Sequence, residues 1–328
     1  MVAVAAPQKG SRTGLQGAEY TIRWVLTHDP IALFEEAARH FVRLVAEESR
    51  GRMEVAVFTP GEYGGGQRVP PAEVMQKVAA GELEMSQTYA TVLGKLSPRL
   101  WTLDLPFLFR SHEHAASVLD GPVGAELLEG LVPAGLRGLA FTYSGGYRIV
   151  SSVEKELRSV EDFQGLRVRT SGNPVVTSLF NGLGAVPHAA PLHEIPALTE
   201  QRLIDAAEST WPRYWDMGHF RAQPIVNETS HSLFLTSLVI NERFYCSLPA
   251  FCQEVLRHAA LEMARAERRK SVADGEMARA AWRRQGGTVV SWSPDARDRF
   301  AAAAGHVYRR FTPEFGSGLI DRIRATAG

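Results

Sequence analysis

The chain has 328 residues, 45% hydrophobic and 22% charged, and its 36 Lys+Arg balance its 36 Asp+Glu to zero formal net charge. That length points to two domains with an ample core and excludes a peptide hormone, a zinc knuckle or a fibrous repeat. The even balance carries no nucleic-acid signature, and since only five of the 36 cations are lysine, a coding bias toward arginine lowers the weight of any single one.

Residues 1–19 are small, polar and glycine-containing and read as a disordered segment, and no apolar stretch is long enough for an export signal or a membrane span. From Tyr20 to Thr27 apolar residues alternate as in a strand. Pro30 then opens a segment whose Leu33, Ala37, Phe41, Leu44 and Val45 recur at helical spacing, with Gly51 as its cap. MEVAVF at 53–58 predicts a second strand, so a β-α-β unit and a parallel sheet follow. A helix over 71–80, a short strand over 83–85 and αβ alternation through FTYS at 141–144 complete a first half. The pattern restarts with a strand at 166–170, a helix at 173–183 and a strand end at 204–207. LFLTSLVI at 233–240 reads as a strand buried on both faces. From Pro249 to Gln285 runs a helix-forming stretch with only Gly275 inside it; at about 50 Å it must bridge two lobes. A strand at 288–292 and a helix from 294 to 311 follow.

Gly61, Gly64, Gly65 and Gly66 lack the register of a phosphate loop and read as a surface turn. His112 and His114, at i and i+2, share no helix face and cannot clamp a metal. Cys246 and Cys252 fit no metal knuckle; a bridge across a helix–turn–helix corner is open to them, and two small buried residues is the plainer reading. Nothing of nucleophile type appears. Instead, polar groups recur at predicted strand ends: Thr27 with His28, Thr88 with Tyr89, Arg148, Arg169, Glu208 with Ser209, and His231. Ligands of open α/β sheets bind beyond the carboxyl ends of strands, so these residues outline a binding cleft. In GLRVRTSG the pleat sets Arg167 and Arg169 on one face, one a solvent-facing cation and the other a ligand clamp.

Four segments, LDLPFLFRSHEHAASVLDGPVGAELLEGL (103–131), VEDFQGLRVRTSGNPVV (160–176), LIDAAESTWPRYWDMGHF (203–220) and LVINERFYCSLP (238–249), together resemble the substrate-binding proteins of tripartite ATP-independent periplasmic (TRAP) transporters, of the DctP type. The resemblance spans roughly residues 20–315 and implies a two-lobed, periplasmic-binding-protein-like α/β fold with a central cleft, discontinuous domains and a long bridging helix. We expect residues 20–146 with 235–275 in one domain and 147–234 with 276–328 in the other. It further implies a monomeric periplasmic receptor without cofactor or metal, which closes on a small-molecule carboxylate and passes it to the small and large permease subunits.

The arginine of the GLRVR element that salt-bridges the ligand carboxylate in that family is Arg169 here, and a second family arginine matches Arg148. Ser209 stands where asparagine is common, and Thr27, Tyr89 and His231 fall on pocket positions. Leu192 stands where an aromatic is frequent. Tyr89 and Trp211 offer flat faces to a sugar ring. AESTWPRYWDMGH resembles the branch that takes sugar acids such as hexuronates, whereas RVPPAEVMQKVAAGELEM (68–85) resembles the 2-oxoacid branch, so 2-oxoacids and dicarboxylates remain the alternative. The rival readings are a ligand-sensing module for a sensor kinase and an enzyme using His231 and Glu208 as acid and base.

Overall fold

Alternation in YTIRWVL and MEVAVF, with helical spacing between them, builds the first unit of the fold in the computed structural model, which describes residues 17–28 and 32–328. The expected helix start at Pro30 and the N-terminal stretch 1–16 lie outside the described residues. Strands β1 (Tyr20–Leu26) and β2 (Met53–Phe58) pair in parallel, joined through the helix Ala32–Glu48. That helix buries Leu33, Phe34, Ala37, Ala38, Phe41 and Val45, and Trp24 of β1 meets Phe41 edge-on at 5.3 Å. The expected strand at 83–85 lies instead at β3 (Met85–Tyr89), on the other side of β1. Its polar residues masked it. Ser86, Gln87 and Thr88 are all buried, and Ser86 Oγ donates to Val25 O while Gln87 Nε2 donates to Thr142 Oγ1.

Strands β4 (Leu136–Ser152), β5 (Arg167–Thr170), β6 (Val186–Ala189), β7 (Ala206–Thr210), β8 (Ile225–Glu228), β9 (Leu233–Asn241) and β10 (Thr288–Ser291) extend this into a sheet of order β2-β1-β3-β9-β4-β7-β5-β6, with β8 on β4 and β10 on β8. The 17-residue β4 belongs to both halves. Through Tyr147 it pairs with β9 beside β3; from Arg148 onward it pairs with β7 and, from Val150, with β8. The register shifts between Tyr143 and Gly146, where Gly145 (φ 100°) and Gly146 (φ 82°) adopt the left-handed conformation that glycine takes without penalty. A side chain at 145 is excluded, since a Cβ there would lie 2.1 Å from Thr210 Oγ1.

The helix Ala250–Arg284 runs behind both halves, as its length requires. Its N-terminal part packs Cys252, Leu256, Ala259 and Met263 on Trp24 and Leu238 of the first lobe; its C-terminal part packs Ala278 and Trp282 on Ile149, Tyr214 and Val226 of the second. Among the described residues no helix is long and apolar enough to cross a membrane. The final helix expected over 294–311 is two helices, Pro294–Ala303 and Gly305–Phe315, and a third follows at Ser317–Ala325. The glycine cluster is a turn led by a one-turn helix, Pro60–Tyr63, under a Thr59–Glu62 capping box. Cys246 and Cys252 are free, and Cys246 is exposed rather than buried because it sits on the outer face of the short helix Glu242–Ser247.

β8 was not legible in the sequence, yet its Asn227 ties the second lobe together. Fully buried, it accepts from Leu157 N (2.7 Å) and donates to Val150 O (2.9 Å) and Ser152 Oγ (3.0 Å). Asn227→Ala strands buried backbone groups, each costing about 1–3 kcal/mol. Urea unfolding should therefore show a loss of about 2–4 kcal/mol, and a loss under about 0.5 kcal/mol, the range of an inconsequential surface change, would remove this role.

Candidate functional site

Strands β1, β3, β5 and β6 all end at one cavity of about 580 Å³. Thr27, Arg68 and Tyr89 line it from the first lobe, Arg169, Ser171, Leu192 and His193 from the second, and Phe234 at the start of β9. It lies beyond the carboxyl ends of parallel strands, where an open α/β sheet leaves a crevice.

The two arginines of GLRVR separate in the structure. Arg167 is half-exposed and bonds Asp205 through Nε (2.9 Å) and Nη2. Arg169, one pleat further toward the cavity, is 3% exposed; its Nε donates to Ala190 O (2.7 Å) and its Nη1 to Glu208 O (3.1 Å). Two backbone carbonyls from different segments thus set the plane of a desolvated guanidinium, the group best matched to a planar anion.

Of the ten residues expected at the site, Thr27, Tyr89, Arg169 and Leu192 line this cavity. Arg148, Glu208 and His231 do not. Arg148 lies inside β4 rather than at a strand end, fully buried, with its guanidinium 3.9 Å above the Phe234 ring. It sits 3.5 Å from Asp104 and 3.4 Å from Glu208, whose carboxylate is 3.7 Å from His231 Nε2. Glu208 Oε1 accepts from Ser171 N (2.9 Å), and Asp104 accepts from Asn173 Nδ2 (2.6 Å). Burial opposes ionisation of Glu208, but Arg148, then His231 and Arg169, outweigh it and hold the carboxyl at about 2. Burial pushes Asp104 up to about 6, with Arg148 opposing and Glu208 adding to the shift. Burial also lowers His231, with Glu208 opposing. The cluster is an internal ion network beneath the cavity.

His28 is buried one residue behind Thr27, stacked on Phe34 at 3.6 Å, and neither ring nitrogen is hydrogen-bonded to any of the described residues. Burial, then the charges of Arg213 and Arg68, hold its imidazole neutral, well below the ordinary range. Ser209 is buried within β7 opposite Ile149, and Trp211 turns to the far side of β4, where its Nε1 donates to Glu228. Thr27 Oγ1 hydrogen-bonds Gln87 O and Thr88 Oγ1, so its hydroxyl is oriented before any ligand arrives. His112 packs on Tyr143 and Tyr147, while His114 Nε2 meets Ile323 O; the two imidazoles diverge.

Sequence alone does not single out Arg68, Lys95, Ser171 or His193 on the cavity wall, nor Phe234, Asp104 and Arg213. Phe234 stacks on Tyr89 at 5.1 Å, and nothing in LFLTSLVI set its first aromatic apart from core. Asp104 carries no signal of its own within LDLPFLFR. Arg213 is fully buried, donates to Ser144 Oγ (3.1 Å) and Tyr89 Oη (3.3 Å), and lies 4.8 Å from the Phe34 ring; a lone arginine in WPRYW carried no local signal beyond its charge. The assembled site holds a buried cation, oriented hydroxyls and flat rings. That inventory suits capture of a hydroxylated anion.

The family model described as bacterial extracellular solute-binding protein, family 7 (DctP), matches residues 27–314. The chain is 30% identical over 273 residues to the 2,3-diketo-L-gulonate-binding periplasmic protein YiaO of Escherichia coli, covering 83% of this chain and 81% of that one. A TRAP periplasmic solute-binding protein from Bradyrhizobium sp., solved with galacturonate, superposes with a TM-score of 0.84 at 30% identity, over 93% of this chain and 100% of that one. Another from Xanthobacter autotrophicus, solved with β-D-galacturonate, gives 0.83 at 26% identity, over 93% and 100%. With its model matched over nearly the whole described chain, this protein belongs to the DctP family of bacterial extracellular solute-binding proteins.

Proposed function

We propose that the protein captures a sugar acid in the periplasm, holding its carboxylate on Arg169, and delivers it to the two membrane subunits of a TRAP transporter without performing chemistry. The observation that carries this reading is Arg169 itself, a desolvated guanidinium oriented by two carbonyls at a cavity shared between lobes. Support for the ligand class comes from the relatives named above, since diketogulonate and galacturonate are both hydroxylated monocarboxylates. Thr27 and Ser171 offer hydroxyls, and Tyr89 with Phe234 offers flat faces, for such a molecule. A 2-oxoacid or dicarboxylate is the second reading, the dicarboxylate favoured by Arg68 and Lys95 on the same walls. An acid–base role for His231 and Glu208 gains no support, because both are sealed beneath the cavity.

Capture proceeds by closure of one lobe on the other, pivoting where β4 passes Gly145 and Gly146. In this reading 20–146 with 235–275 moves against 147–234 with 276–316. Residues 317–328 travel with the first lobe, since Arg322 pairs with Glu126 at 2.7 Å and Arg110 holds the carbonyls of Arg324 and Thr326.

Arg169→Ala should abolish binding in calorimetry of the folded variant, because truncating one partner of a desolvated charge pair costs on the order of 2–5 kcal/mol. Arg169→Lys should recover little of it, as an ammonium cannot present two coplanar donors; unchanged affinity in Arg169→Ala would sink the assignment. In small-angle scattering, saturating ligand should shrink the radius of gyration, whereas an unaltered value would argue against closure. Thermal shift separates the ligand classes, a binder at a hundredfold excess over Kd adding about 2.7 kcal/mol. Glucuronate or galacturonate should raise Tm more than succinate or a branched 2-oxoacid, and the opposite order would transfer the site to the second reading.

A further inference from the structure

On the far side of β4 from the cleft lies a second cavity, of about 410 Å³, that shares no lining residue with the first. The long helix contributes Ser271 and Gly275, β4 contributes Tyr147, and Trp292 and Arg297 follow β10. Two of these side chains are buried polar groups without a partner among the described residues. There Ser271 is fully buried and its Oγ makes no hydrogen bond; Trp292 is 8% exposed and its Nε1–H meets no acceptor. Nδ1 of His112, also on the wall, is unsatisfied as well. Buried polar atoms are rarely left so, and each orphan invites an explanation.

Each unsatisfied group is able to donate: Trp Nε1 can only donate, Ser can do so, and neutral His does so in one tautomer. Arg297 on the same wall can likewise only donate. Arg297 is exposed and, among the described residues, carries no salt bridge, although its charge acts on Tyr147. Of the acids on the wall, Glu228 is already saturated by Arg279, Ser291 and Trp211, and Glu276 is exposed. Trp211, Trp292 and Tyr147 add aromatic faces. Gly275 leaves the space open: the only glycine within the 35-residue helix, it has a helical backbone, and a Cβ there would meet Trp211 and Pro212 at ordinary distances of 3.7 and 3.8 Å. No backbone demand requires glycine.

We propose that this hinge-side cavity is a second binding site, one that takes a flat monocarboxylate, its ring against Trp292 and Tyr147 and its anion toward Arg297 and the orphaned donors.

Benzoate is the probe, with benzyl alcohol as its uncharged counterpart, followed by calorimetry and saturation-transfer NMR on the whole chain. Benzoate should bind in the millimolar range and benzyl alcohol about tenfold more weakly, the loss of one charge-assisted hydrogen bond. Binding should persist in Arg169→Gln, which disarms the cleft. It should disappear in Gly275→Leu, which fills the cavity, and weaken about tenfold in Arg297→Gln, an exposed change that leaves folding untouched. Absence of benzoate binding, equal binding of benzyl alcohol, or binding lost in Arg169→Gln yet retained in Arg297→Gln would each overturn the proposal.

Discussion

A guanidinium removed from water must be met by oriented dipoles, and at Arg169 that requirement accounts for much of the second lobe. Its two carbonyl partners belong to Ala190, just beyond β6, and Glu208 in β7, the neighbours of β5 on either side. Only an interior strand has a neighbour on each flank, so the order β7-β5-β6 is what makes the arginine rigid. A side chain already ordered loses little entropy on meeting a ligand.

Glu208 carries this arrangement into the hinge. Its carbonyl holds Arg169, while its carboxylate faces Arg148 and takes the N–H of Ser171 beyond β5. Arg148 in turn lies on Phe234, and Phe234 stacks on Tyr89 of the first lobe. Side chains from β3, β9, β4 and β7 thereby form one continuous stack between cleft wall and ion network. Buried ion clusters add little net stability over apolar replacements, but removing one member leaves an uncompensated charge. The network is therefore better understood as fixing the geometry of the site than as strengthening the fold.

What could be read from the sequence was what repeats locally. β1, β2 and β9 announce themselves by apolar pattern, and the long helix by composition and length. β3 did not, because MSQTY buries polar side chains whose Ser86 Oγ and Gln87 Nε2 find partners on neighbouring strands; β6 and β8 are four residues each, and β6 is a sheet edge that tolerates Pro187. At the site, alternation leaves 167 and 169 as candidates for a ligand arginine and the resemblance implies 169; in the structure Arg167 pairs with Asp205 while Arg169 lines the cavity. Arg213 reaches Tyr89 across 124 positions of sequence, a separation that no local pattern encodes.

The turn from β7 into the helix Trp211–Asp216 explains why Trp211, expected in the cleft, lies behind it. A strand alternates its faces, and the helix that follows swings consecutive side chains by about 100°. Glu208 and Arg213 consequently face the cleft side while Trp211 between them faces the long helix, where it packs on Tyr214 and lines the hinge-side cavity. Thr210, at the junction, donates to Ser144 O at 2.7 Å, and its side chain fills the space that Gly145 leaves without a Cβ. The end of β7 is thus fastened to β4 at its two glycines. In the closure proposed above, a rotation at that point carries Glu208 and Trp211 together, so the front and back of β7 move as one element.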